Sequence, residues 1–274
     1  MKLQFSAVSK LIAVASAVGL VVYGGGFVVN QVADQMVDWQ AKQDASSGQA
    51  AARAAYGRLP LSFEPNRGQT DSQVEFLARG KGYTLFLTPK EAVISLLKGQ
   101  PAGSQSAGSV SGERSVVRMR LIGANPAAKA SGQKLLAGKV NYLMGKVRSA
   151  WRTGIPTFGR VAFQGVYPGV NMLYYGDRQG QLEYDFVVAP GADPSAIRLS
   201  FEGAQGLSLD SKGDLIIQTG GAELRQHKPR LYQMINGKRH AVAGKFTLSG
   251  SNEVGFKIGS YSHSRPLIID PTLS

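Results

Sequence analysis

From Leu59 onward the chain breaks into short segments whose apolar residues recur with a period close to two. A side-chain period of two marks strands with one buried face. The segments Tyr83–Leu87, Val116–Ile122, Val170–Tyr175, Gln181–Val188 and Ile197–Glu202 carry it, as do Asp214–Thr219, Arg230–Ile235, Lys245–Leu248 and Val254–Ile258. Turn formers separate them: Tyr167-Pro168-Gly169, Gly176-Asp177, Asp210-Ser211-Lys212-Gly213 and Ser251-Asn252. Asn236-Gly237 signals a type I′ hairpin. Asp193-Pro194-Ser195 reads as a cap followed by one short helical turn. Beyond residue 60 no segment sustains a 3.6 period, and the 34 glycines suit turns better than helices. Short strands spaced about ten residues apart predict an all-β, β-sandwich-like domain, built as one unit or as two packed β units.

Within Gln181–Val188, Leu182, Tyr184, Phe186 and Val188 share one face, while Gln181, Glu183, Asp185 and Val187 share the other. The first face is expected to pack and the second to be solvated. Pro266 and Pro271 bracket Leu267–Ile269, which predicts an edge or terminal strand. The low-complexity stretch 99–112 (GQPAGSQSAGSVSG) reads as a flexible loop or linker.

The N-terminus differs in kind. Residues 1–10 form a short region containing Lys2 and Lys10, and Leu11–Val29 is an uncharged, mostly apolar run of 19 residues. That length suits a transmembrane anchor. The lysines before it, with Asp34 and Asp38 after it, place the N-terminus in the cytoplasm and the body outside. A cleaved signal peptide is the rival reading, with Ala15-Ser16-Ala17 or Gly24-Gly25-Gly26 as the processing region. Either route exports residues 59–274 behind a polar, helix-prone stalk over 30–58. The expected location is the outer side of the cytoplasmic membrane, or secretion if the signal is cut.

The strand segments contain long motifs: LPLSFEPNRGQTD (59–71), NYLMG (141–145), WRTGIPTFGRV (151–161), VYPGVNMLYYG (166–176), QLEYDFVVAPGADPSAIRLSFEGA (181–204), ELRQHKPRLYQ (223–233) and SRPLIIDPTL (264–273). Through them the chain resembles the uncharacterised all-β domain at the N-terminus of bacterial cell-surface proteins that carry SBBP β-propeller repeats. The resemblance implies an extracytoplasmic envelope protein and implies no known activity. In that family the repeats follow the IDP strand. The present sequence stops at Ser274, which leaves a stand-alone version and a fragment as the two readings.

Few residues offer chemistry. With no Cys, disulfides, thiolate metal sites and thiol nucleophiles are excluded, and three His leave little for metal or base catalysis. No G-x-S-x-G or H-E-x-x-H motif occurs, and Gly132–Val140 departs from a phosphate loop. His227 and His263 have no acid nearby in sequence to orient them. Glu183 and Asp185 lie about 6.6 Å apart along one strand face, at the short end of the inverting-glycosidase spacing. A solvated face with cross-strand salt bridges is the plainer reading, so a carbohydrate-active enzyme stands only as a second alternative. Glu64 falls in a Pro-Asn segment and is expected to cap a turn. Asp210 and Asp214 read as a hairpin turn rather than a calcium loop. No cofactor, catalytic residue or metal site is assigned.

Charge is the sharpest functional signal. The net charge is +13, yet residues 1–50 are neutral, so the excess lies in the body. From Arg114 to Gly176 there are ten Lys and Arg and no acid. Arg118, Arg120, Lys139, Lys146, Arg148 and Arg152 are the candidate ligand-binding residues of a basic face. Such a field favours anionic glycans or lipid head groups, without specific nucleic-acid recognition. The expected function is therefore a non-enzymatic envelope module with a structural or interaction role, with polyanion or glycan binding as the first alternative.

Overall fold

The computed structural model describes residues 61–80, 82–97, 114–177, 181–220 and 223–273. Every described residue belongs to one compact unit, Ala55–Ser274. The anchor or signal over 11–29, the stalk over 30–58 and the loop over 99–112 lie outside the described residues. Among those described, no helix is long and apolar enough to cross a membrane.

The unit is all-β. Its strands are β1 (Phe63–Pro65), β2 (Phe76–Gly80), β3 (Tyr83–Leu87), β4 (Glu91–Leu97), β5 (Arg114–Leu121), β6 (Lys129–Tyr142), β7 (Arg152–Tyr167), β8 (Val170–Gly176) and β9 (Leu182–Val188). They continue as β10 (Leu199–Glu202), β11 (Gly206–Leu209), β12 (Leu215–Gln218), β13 (Glu223–Gln226), β14 (Arg230–Ile235), β15 (Lys238–Val242), β16 (Gly244–Ser249), β17 (Glu253–Ile258) and β18 (Leu267–Asp270). Two 3-10 turns, Arg148–Ala150 and Pro194–Ala196, complete the described elements. At the second, the Asp193 carboxylate accepts the Ser195 N–H, as its Asp-Pro-Ser sequence predicts. Asn236 and Gly237 take φ of 51° and 74° in the β14–β15 hairpin, matching the type I′ signal.

One sheet follows the path β15-β14-β18-β9-β8-β7-β1-β2-β3-β4-β5-β10-β17-β16, with β6 paired to β7 beside it, and β11-β12-β13 form a second sheet. The two ends of that long path, β15 and β16, are joined by Ala243 alone. A flat sheet of this length would hold them about 60 Å apart at the usual strand spacing. The sheet therefore rolls over on itself. Phe186 of β9 meets Phe256 of β17 at 6.1 Å between ring centroids, across the enclosed core. This closure is consistent with a sandwich-like fold. Phe63, Leu85, Val117, Tyr174, Phe186, Leu199 and Ile269 all belong to one buried cluster, to which Leu215, Ile217 and Leu224 of the small sheet contribute. Tyr184 of β9 donates to the Gln226 side chain at 3.0 Å, tying the small sheet to the large one.

Two expectations need correction. Leu267–Ile269 belongs to an interior strand, because β18 pairs with β14 on one side and β9 on the other. Its prolines stand just outside the ladder, at Pro266 and Pro271, so no inner hydrogen bond is lost. The outward face of β9 is also not solvated as expected: Asp185 is only 9% exposed.

Tight crossings fix the rolled sheet. Gly203 follows β10 with φ +83°, and a Cβ there would stand 2.2 Å from the Val116 carbonyl oxygen. Gly203→Ala is expected to destabilise the unit by about 2–4 kcal/mol, since both the backbone conformation and the space exclude it. Chemical denaturation checks this. An unchanged midpoint would show that β5 moves aside.

Candidate functional site

The β6–β7 hairpin is built from sequence without a clean strand period. Its outer strand, β6, pairs with β7 alone. Towards the turn, Lys139, Val140 and Tyr142 pair with Pro156, Ile155 and Arg152. The hairpin is clamped at this end by polar contacts. Tyr142 donates to Glu64 Oε2 at 2.6 Å, and Arg79 donates to Glu64 Oε1 at 2.7 Å while lying 5.3 Å from the Tyr142 ring centre. Burial, then the Glu64 bond, pushes the Tyr142 hydroxyl up to about 12. Arg152 donates to the backbone carbonyls of Arg67, Ser149 and Trp151. Trp151 Nε1 donates to the Gly145 carbonyl at 3.2 Å.

Between these clamps, residues 143–150 are exposed throughout. Leu143, Met144 and Val147 show 59%, 67% and 63% of their surface to solvent. Lys139, Lys146 and Arg148 are exposed beside them in the chain, with the Arg148 guanidinium 5.6 Å from the Trp151 ring centre. Among the described residues Lys139, Lys146 and Arg148 form no ion pair. The tip therefore combines three outward apolar side chains with three cations that no carboxylate pairs. That pairing fits a surface with anionic groups over an apolar interior.

The predicted basic residues split into two groups. Lys139, Lys146, Arg148 and Arg152 gather at this tip, although Arg152 is spent on backbone carbonyls as a clamp. Arg118 and Arg120 lie elsewhere, on β5. Arg118 donates to Glu91 at 2.8 Å, and Arg120 donates to Glu202 at 2.5 Å. The face expected to be basic is thus a cross-strand ion-pair ladder over β4, β5 and β10. Glu91 and Glu202 are distant in sequence, which is why the linear charge pattern missed them. The exposed apolar residues of the tip were also passed over, although Leu143 and Met144 stand visibly among the cations.

Glu64 lies within β1 and is 4% exposed, so the expected turn role belongs instead to Asn66. The Asn66 amide donates to the carbonyls of Asp71 and Val74, and its oxygen accepts the Gly68 N–H. Asp210 and Asp214 do form a hairpin turn, between β11 and β12. Its carboxylates hold Arg225, the Lys228 N–H and His227, whose Nδ1 is 3.0 Å from Asp214. An acid does orient His227, delivered from thirteen residues upstream.

Glu183 and Asp185 of β9 face Asp270 of β18. Tyr175 donates to Asp185 Oδ1 at 3.0 Å, and Thr272 donates to Glu183 at 3.3 Å. Among the described residues none of the three carboxylates forms an ion pair. Burial, then the charge of Asp270, pushes Asp185 up to about 7. Glu183 and Asp270 rise as well, with burial the largest cause for each. Among the described residues no group of three His, Asp or Glu is arranged to hold a metal ion.

Fold and hairpin together define an all-β domain with an exposed basic-apolar tip held at its base by polar contacts. A family profile described as a domain of unknown function (DUF7948) covers residues 63–272, and the chain belongs to that family. No curated protein and no solved structure matches it.

Proposed function

We propose that this chain is an exported, non-enzymatic module of the bacterial envelope that docks on anionic lipid head groups through the β6–β7 tip. The observation that carries this reading is the tip, where Leu143, Met144 and Val147 stand exposed among Lys139, Lys146 and Arg148. Burying apolar side chains at an interface and placing cations against a negative surface both favour adsorption. The apolar run Leu11–Val29 supports export and a membrane tether, and the likeness to the N-terminal domain of SBBP-repeat surface proteins supports an envelope setting. The rolled sheet supports the finer assignment of a sandwich. A glycosidase pair at Glu183 and Asp185 is disfavoured, because Asp185 is buried and engaged by Tyr175.

Vesicle flotation with the compact unit Ala55–Ser274 tests the docking. The protein is expected to float with phosphatidylglycerol-containing vesicles and to stay behind with pure phosphatidylcholine. Retention on heparin-like glycan with no flotation would transfer the tip to polyanionic glycans and end the lipid assignment.

A further inference from the structure

The two ends of the rolled sheet do not meet flush. A cleft of about 650 Å3 runs between β14–β15 and β16–β17. That size suits a small-molecule site. Its cationic lining is Lys228, Arg230, Arg239, Lys245 and Lys257, and no acid lines it. All five side chains are exposed, and none forms an ion pair among the described residues. Lys245 and Lys257 stand directly opposite each other across β16 and β17. A like-charge pair in that register is destabilising unless something compensates it. Arg239 lies 4.5 Å from the Tyr232 ring centre, and Asp270, in register with Arg230 on β18, is not part of the lining.

The rest of the lining is apolar. Leu231 is buried, while Val242 and Ile258 are half-buried. β16 passes so close to β14 that a Cβ on Gly244 would sit 2.6 Å from the Leu231 side chain. The apolar wall is therefore continuous across the seam. Positive charge around an apolar wall calls for a ligand with an anionic head and an apolar body.

We propose that this seam cleft binds a phosphorylated amphiphile, its phosphate held among Lys228, Arg230, Arg239, Lys245 and Lys257 and its apolar part against Leu231, Val242 and Ile258. The site shares no residue with the β6–β7 tip, so either can fail without the other.

Calorimetric titration of the full chain in neutral phosphatidylcholine nanodiscs, with empty discs subtracted, tests it. Octyl phosphate is expected to bind at least tenfold tighter than inorganic phosphate, and 1-octanol is expected to give no saturable heat. Lys245→Gln with Lys257→Gln should weaken octyl phosphate at least tenfold, with the far-UV spectrum unchanged. Lys139→Gln, Lys146→Gln and Arg148→Gln together should leave it unaltered. Equal affinity for octyl and inorganic phosphate would reduce the cleft to a simple anion site and overturn the proposal. So would octyl phosphate binding that ignores the Lys245/Lys257 change.

Discussion

Asp185→Asn is expected to stabilise the domain most at pH 8, by a margin that shrinks as pH falls and closes near pH 4. Asp185 is 9% exposed, lies beside Glu183 and Asp270, and is pushed up to about 7 in the folded state, first by burial and then by Asp270. The unfolded carboxyl titrates near 3.9. A group raised on folding contributes stability that is fully present below the unfolded value. That contribution is lost as pH rises through the folded value. The window is therefore about pH 4 to 8, with less stability at the upper end. The linkage is on the order of 4 kcal/mol, or about 8–16 °C in Tm for a domain of this size. Asn keeps an oxygen to accept the Tyr175 hydroxyl and removes the titration. Thermal melts of both proteins between pH 5 and 8 measure the effect. Parallel curves for the two would show that Asp185 is not the group responsible. Below this window the opposite trend sets in, because Asp193, Asp210 and Asp214 are held low by hydrogen bonds and cations, and their stability is lost on protonation.

Neutralising the tip is the second large effect. Lys139→Gln, Lys146→Gln and Arg148→Gln together should lower partition onto phosphatidylglycerol vesicles about 100-fold, at roughly 1 kcal/mol for each cation near an anionic surface. The loss should shrink at 0.5 M salt, where such charges are screened. Leu143→Ser, Met144→Ser and Val147→Ser together should lower partition by about tenfold or more, and this part should persist at high salt, because apolar burial is not screened. Folding should be untouched by either set, since all six side chains are exposed. Full partition of the charge-neutral variant would remove the electrostatic half of the docking proposal.

The strand segments were legible because one face of each is buried. Tyr83–Leu87 and Arg230–Ile235 match the expected limits, and β8, β9, β16 and β17 differ by a residue at their ends. β1, β2, β4, β11 and β13 were not singled out, and β6 and β7 were missed because Lys129–Tyr142 is largely exposed on both faces and β7 carries Gly154, Pro156, Gly159 and Gly165. A strand without a buried face leaves no period to read. The candidate site was half legible for a related reason. Lys139, Lys146, Arg148 and Arg152 are close in sequence and stay close in space. Arg118 and Arg120 look alike in sequence, but Glu91 and Glu202 reach them from other strands.

By itself the sequence determined the all-β class, most strand positions, the Asn236-Gly237 hairpin and the acid-free basic stretch. These depend on local alternation, turn stereochemistry and composition, all of which are properties of neighbouring residues. The tertiary structure decided what depends on strand order. Rolling the sheet until Ala243 bridges its two ends placed β18 in the interior and buried Asp185 between Tyr175 and Asp270. It also paired off the β5 arginines and set five cations around the seam. Long-range pairing chooses each residue's neighbours, and those neighbours decide whether a charge is satisfied, suppressed or left open to a ligand.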